Sequence, residues 1–347
     1  MKKKMISLLS FLTVLFVLSA CNSTTSTESN TENTSDKLQI YTTIYPIQYF
    51  TERIGGDYVS TKNLVPPGAD AHNVEVTTKT MIEVAEGDAF IYTGSGVEGF
   101  ADAIIDSLKN EDVTIVNSTE KVSFIDALEK HVHNQQEEHD EEHHSEETAE
   151  EHESNEDHEE HESHDEHQGH NHTSDKDPHV WLDPIRCITM AENIKNALVE
   201  LKPEQKQEFE ENFSMLKTEL EELDKEFKSM VDNSKTKTFV VSHSAYGYWQ
   251  DVYGLEQIGI NGLSPTNEPS QKQLSAIIDL VRENDLKYVF FEQNLQNKVA
   301  EIVQNETGTE ALSLHNLEAI TLENIKNSED YFDIMKENIQ VLEQALN

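Results

Sequence analysis

From Leu38 onward, short runs of strand character alternate with amphipathic stretches, and this happens in two separate blocks. In the first block LQIYTTI (38–44), VSTKNLV (59–65), AFIYTG (89–94) and VTIVN (113–117) are rich in β-branched and aromatic residues. Between them, PIQYFTERIGG, TTKTMIEVAEG and VEGFADAIIDSLKN carry apolar residues at three and four spacing and close on Gly or Asn, as helices do. The second block repeats the alternation with TFVVS (238–242), LEQIGI (255–260), KYVFFE (287–292) and EALSL (310–314), separated by helical stretches such as SQKQLSAIIDLVREN. This is the βαβ pattern of a parallel sheet. The fold class expected is therefore α/β, with two parallel-sheet lobes and no evident sequence repeat between them.

The segment joining the blocks narrows the architecture further. From Pro203 to Asn233 there is no glycine, proline occurs only where a first helical turn permits it, and Phe209, Phe213, Leu216, Leu220, Leu223 and Phe227 fall on one stripe. A helix of this length spans roughly 45 Å at 1.5 Å per residue. It is expected to be a rigid spine (203–233) between an N-terminal lobe (38–202) and a C-terminal lobe (234–347), with its charges on a solvated face.

The chain starts with lysines at positions 2 to 4 and an apolar run from Met5 to Leu18, too short for the roughly 20 residues that a bilayer core requires. Residues 1–20 are read as a secretory signal. Leu18-Ser19-Ala20-Cys21 resembles a bacterial lipobox, in which Cys21 becomes the lipid-modified first residue. Residues 21–37, dominated by Ser, Thr and Asn, are too poor in apolar side chains to fold and read as a polar tether to a membrane. The one remaining cysteine, Cys187, has no intramolecular partner, which excludes a disulfide framework and leaves a buried structural thiol.

A formal charge of -41 argues against nucleic acid as a partner, since phosphate neutralisation needs clustered Lys and Arg. Part of that charge is concentrated in a run without a single Lys or Arg, which holds His131, His133, His139, His143, His144, His152, His158, His161, His164, His167, His170 and His172 among many carboxylates. With almost nothing apolar to bury, the loop 131–177 is expected to be disordered. Neutral imidazoles beside carboxylates suit zinc, copper and nickel, so the loop is expected to capture additional ions weakly, as an accessory to a better built site. A zincin reading fails because HEEH at 158–161 is one residue short of H-E-x-x-H.

Outside that run four histidines remain. His72 in PPGADAHNVEVTTK follows a strand and precedes a helix; His179 in DPHVWLDP precedes the helix that opens near Pro184; His243 follows the strand TFVVS in SHSAYGYW. Glu292 ends the strand KYVFFE. In open α/β sheets ligands bind at the carboxyl ends of strands, and these four residues come from both halves of the chain. Three imidazoles and one carboxylate give a tetrahedral shell suited to zinc. His315, in LSLHNLEAI, is assigned a structural or surface role, and Trp181, Tyr246, Tyr248 and Trp249 are expected to wall the site by packing.

On the motifs PPGADAH, DPHVWLDP, SHSAYGYW, EPSQKQL and FFEQNL, the chain resembles the metal-binding solute-receptor lipoproteins of ABC importers, in particular the zinc-specific members of cluster A-I. The resemblance covers Cys21 to Asn347. It implies two lobes joined by a long helix, an ion held between them, and His72, His179, His243 and Glu292 as its ligands. It also implies a non-enzymatic, monomeric, extracytoplasmic receptor, lipid-anchored to the bacterial membrane, that hands zinc to a permease working with a cytoplasmic ATPase. Manganese receptors of the family look to have glutamate at the third ligand position, where this chain has His243, and a nitrogen-rich shell favours zinc. The competing expectations are a zinc-dependent hydrolase, with Glu292 as general base on a three-histidine site, and a surface adhesin.

Overall fold

The computed structural model describes residues 37–127, 176–293 and 297–347. The signal segment, Cys21, the tether up to residue 36 and all twelve histidines of the acidic run lie outside the described residues. Among the described residues, eight strands form two four-stranded sheets in which every neighbouring pair is parallel. The first lobe runs β1 (Leu38–Thr42), α1 (Tyr45–Gly55), β2 (Val59–Asn63), α2 (Thr78–Ala85), β3 (Ala89–Tyr92), α3 (Ala101–Ser107) and β4 (Thr114–Asn117), with strand order β2-β1-β3-β4. After α4 (Pro184–Leu201) and α5 (Lys206–Asn233), the second lobe runs β5 (Thr238–His243), α6 (Gly247–Tyr253), β6 (Glu256–Asn261), α7 (Gln271–Glu283), β7 (Tyr288–Phe291), α8 (Lys298–Thr307), β8 (Glu310–Ser313), α9 (Leu322–Asn327) and α10 (Tyr331–Leu346). Its strand order is β6-β5-β7-β8. All eight runs with strand character in the sequence are strands here.

Central parallel strands are covered on both faces, so they read as continuous apolar runs. Ala89, Phe90 and Ile91 of β3 are each wholly buried, and so are Phe239, Val240 and Val241 of β5 to within a few per cent. The two-residue period of β5 divides its side chains between two cores. Val240 joins Val289, Ile277, Val281 and Val303 in a small cluster beneath α7 and α8, whereas Phe239 and Val241 belong to the main core. That main core is continuous with the first lobe, because α5 lies between them.

The helix α5 carries out what its stripe implies. Phe209, Leu216, Leu220, Leu223 and Phe227 are buried and Phe213 is half-buried, while the other faces are charged and exposed. At 28 residues it is about 42 Å long. It packs on α1 and α4 from the first lobe and on α6 and α10 from the second. Arg53 of α1 reaches Glu219 at 2.7 Å, and near the other end the Phe227 ring lies 4.9 Å from Trp249 and 5.0 Å from Tyr253 of α6. The lobes also meet directly: Trp249 Nε1 donates to the Leu182 carbonyl at 2.8 Å and Tyr331 Oη to the Trp181 carbonyl at 2.9 Å.

Cys187 is buried beneath this contact, its Sγ 3.2 Å from the Trp181 carbonyl, and burial pushes its thiol pKa up. It is a packing residue. Truncation of the aromatic tie between α5 and the second lobe is costly: Phe227→Ala is expected to lower unfolding stability by about 3–5 kcal/mol. Chemical denaturation with a loss below about 1 kcal/mol would show that the helix is not an integral part of the core.

Candidate metal centre

The carboxyl ends of both sheets face one another, and three histidines reach the space between them. His72 sits in a 3-10 turn, Ala71–Asn73, after β2, where Asp70 caps the turn by accepting from the His72 main-chain N–H at 2.9 Å. His179 immediately precedes a second 3-10 turn, Val180–Leu182, and His243 is the last residue of β5. Glu318 enters from the loop after β8. One ligand atom from each of His72, His179, His243 and Glu318 lies within 4.8 Å of every other.

The separations are informative. His243 Nε2 and His179 Nε2 are 3.3 Å apart, and Glu318 Oε1 is 3.5 Å from both His179 Nε2 and His72 Nε2. A tetrahedral ion with bonds of about 2.0 to 2.2 Å needs donor atoms about 3.3 to 3.6 Å apart. His72 Nε2 and Glu318 Oε1 are buried, and among the described residues neither has a hydrogen-bond partner. Buried polar atoms left without partners are costly, and a shared cation satisfies them together.

The imidazoles are oriented from behind. Asp177 Oδ1 lies 2.8 Å from His179 Nδ1 and also accepts the His179 main-chain N–H at 2.9 Å. Glu292 Oε1 is hydrogen-bonded to His243 Nδ1. A carboxylate on Nδ1 fixes the proton there and leaves the Nε2 lone pair for a cation. Asp177 is wholly buried, and Gly247 makes room for it, since a Cβ there would stand 2.3 Å from Asp177 Oδ2. Glu318 Oε2 accepts from the Ala71 main-chain N–H at 3.3 Å, which directs Oε1 towards the imidazoles.

Burial works against a charged His179, but Asp177 and Glu318 at its two ring nitrogens outweigh that and hold its pKa up at about 9. Burial likewise opposes the charge on Glu318, and His179 and His72 outweigh it, holding this carboxyl well below the usual range. The site is thus negative enough to retain a proton in place of a cation. His315, four per cent exposed, is a structural residue: burial lowers its pKa to about 4, and its Nδ1 accepts from the Leu317 N–H at 2.9 Å. Trp181, Tyr246, Tyr248 and Trp249 are all buried; Trp181 packs 5.4 Å from His179 and Tyr248 Oη donates to the Asp177 carbonyl at 2.9 Å.

The structure brings together His72, His179 and His243, three of the residues the sequence singles out, and sets Glu318 beside them rather than Glu292. Glu292 does not stand in the ring of donor atoms; it stands behind His243, and Glu318 takes the place expected of it. The physical reason is reach: Glu292 directly follows β7 and meets the near side of the His243 ring, whereas the loop after β8 carries Glu318 across to the far side. Glu318 is only three residues past His315, and an acidic residue in a strand-end loop is the signal that could have found it. Asp177, in DPHVWLDP, is a second omission, signalled by a carboxylate two residues before a ligand histidine.

A model of the family described as zinc-uptake complex component A, periplasmic, matches residues 40–345. The zinc-binding protein AdcA of Streptococcus pyogenes is 34 % identical over 316 residues, covering 88 % of this chain and 55 % of that protein. The chain therefore spans about half the length of that relative. The high-affinity zinc uptake system protein ZnuA of Bacillus subtilis is 31 % identical over 311 residues, covering 90 % of this chain and 88 % of that one. Among solved structures, the Zn(II)-bound ZnuA-like domain of Streptococcus pneumoniae AdcA superposes with a TM-score of 0.68 at 28 % identity, over 89 % of this chain and 99 % of that chain. The laminin-binding protein of Streptococcus agalactiae, described as bifunctional with adhesin and metal-transporting activity, gives 0.71 at 25 % identity, over 89 % and 100 %.

Cation binding must displace the proton that Asp177 and Glu318 keep on His179. At pH 7 each ion bound is expected to release close to one proton, and affinity is expected to rise with pH up to about 9, the His179 pKa, and to fall as pH drops. Calorimetry in buffers of different ionisation enthalpy measures the release; none at pH 7 would contradict this electrostatic account.

Proposed function

The chain belongs to the family of zinc-uptake complex component A, periplasmic, and on that premise we propose that it is an extracytoplasmic receptor that binds one zinc ion between its lobes. The observation that carries the reading is the set of donor separations, of which three, 3.3, 3.5 and 3.5 Å, have the length of a zinc tetrahedron's edges and all lie within 4.8 Å. The ligands in this proposal are His72, His179, His243 and Glu318, with Asp177 and Glu292 orienting two of the imidazoles. Three nitrogens and one oxygen suit zinc better than manganese, which prefers an oxygen-rich shell.

The receptor hands its ion to an ABC permease powered by a cytoplasmic ATPase, and Cys21 anchors it by lipid to the outer face of the membrane. The histidine-rich run 131–172 collects further ions weakly nearby. Release proceeds through the ligand-bearing loops more than through hinge closure, because α5 and the direct contacts between lobes form one continuous core. A hydrolase keeps a coordination position open for water. Here four donor atoms already complete the shell, which favours a receptor that encloses its cargo.

Competition titration with a zinc chelator is the direct test. Zinc should resist displacement by excess manganese, and His72→Ala, His179→Ala or Glu318→Gln should each weaken zinc by more than about 100-fold, beyond the 10–100-fold usual for a supporting group such as Glu292. Manganese binding as tightly as zinc would refute the assignment. Deleting residues 131–172 should leave one tight ion and remove only the weak ones, read as metal per chain after dialysis; loss of the tight ion would put the principal site in the run itself.

A further inference from the structure

The donor residues come from separate loops, yet one residue, Asn316, touches the supports of three of them, two through its side chain and one through its carbonyl. Asn316 Nδ2 donates to Glu292 Oε2 at 3.2 Å, while Glu292 Oε1 holds His243 Nδ1. Asn316 Oδ1 accepts from the Glu318 main-chain N–H at 3.1 Å. Its own carbonyl accepts from Trp181 Nε1 at 2.7 Å, and Trp181 packs against His179. Both side-chain bonds fix the amide's orientation: rotating it would set an NH2 group against an N–H and an oxygen against a carboxylate.

The backbone around Asn316 is held just as firmly. Leu317, wholly buried, has φ of +61°, the left-handed region that leucine rarely occupies. Its N–H donates to His315 Nδ1 at 2.9 Å, and Asn338 brackets His315 by accepting from its N–H at 2.9 Å and donating to its carbonyl at 2.8 Å. Such a conformation persists only where surrounding bonds over-determine it, and strain of this kind collects at ligand clamps. Its consequence here is that Glu318 turns inward.

We propose that Asn316 is a positioning residue for the cation site, setting Glu318 directly and His243 through Glu292 at tetrahedral separation before the ion arrives. The inference rests on the zinc-receptor reading above and deepens it. Asn316 contacts no ligand nitrogen and supplies no donor to the ion. Its work is to hold a carboxylate and an imidazole, from loops that follow different strands, so that little ordering remains to be done on binding.

Because the role depends on donor and acceptor polarity, exchanging that polarity tests it. Asn316→Asp keeps the shape and the acceptor for Glu318 but sets two carboxylates face to face; Glu292→Gln sets two NH2 groups face to face. Each single variant of the full chain is expected to weaken zinc by about 10- to 100-fold in chelator competition. The double variant restores complementarity, since the new amide at position 292 would then donate to the new carboxylate at position 316 while still accepting from His243 Nδ1, and most of the affinity should return. Single variants that bind like the parent, or a double variant whose loss is the sum of the two, would overturn the inference. Melting of the ion-free chains checks folding, and should Asn316→Asp not fold, Asn316→Ala decides: unchanged affinity overturns the role and a comparable loss supports it. A parent chain that holds no zinc at all would instead remove the receptor reading, and this inference with it.

Discussion

A carboxylate buried among three imidazoles, with its inward oxygen left without a hydrogen bond, is the constraint on which the rest of the structure depends. An uncompensated buried charge costs about 3–5 kcal/mol and is kept only where something compensates it. Without an ion, Asp177 and Glu318 favour a proton on His179 and so offset part of that charge; a bound divalent cation would offset it in the same place. Everything nearby serves that arrangement. Asp177 and Glu292 hold two rings from behind, Gly247 leaves space for Asp177, and the strained Leu317 turn aims Glu318.

The two-lobe fold is what makes convergence from distant sequence positions possible. Parallel strands deliver their loops to one edge, and the two sheets present those edges to each other across a shared core. The glycine-free helix fixes the distance between them by packing on both lobes at once. A site assembled from both sides can enclose an ion more completely than one built on a single edge, and Trp181 packs directly against His179 within it.

Much of this is legible in the sequence because it is periodic. All eight strands lie in runs of strand character between helical stretches, and the stripe from Phe209 to Phe227 marks the buried face of the spine. The three histidines are legible because each lies at a strand end or in the connection between a strand and a helix, where α/β folds put ligands. Which carboxylate stands beside the three imidazoles is not, for a physical reason. Glu292 and Glu318 both follow strands of the second lobe, and which one reaches the imidazoles' open side depends on a left-handed turn at Leu317. Nothing in a leucine advertises a positive φ. Asn316 and His315 are likewise ordinary letters until their hydrogen bonds are seen.

Anomalous diffraction at the zinc edge from crystals of the loaded chain tests the central claim most directly. The account predicts one strong peak about 2.0–2.2 Å from Nε2 of His72, His179 and His243 and from one oxygen of Glu318, with Glu292 still on the opposite face of the His243 ring. A peak bonded to Glu292, or lacking any one of the three imidazoles, would contradict it.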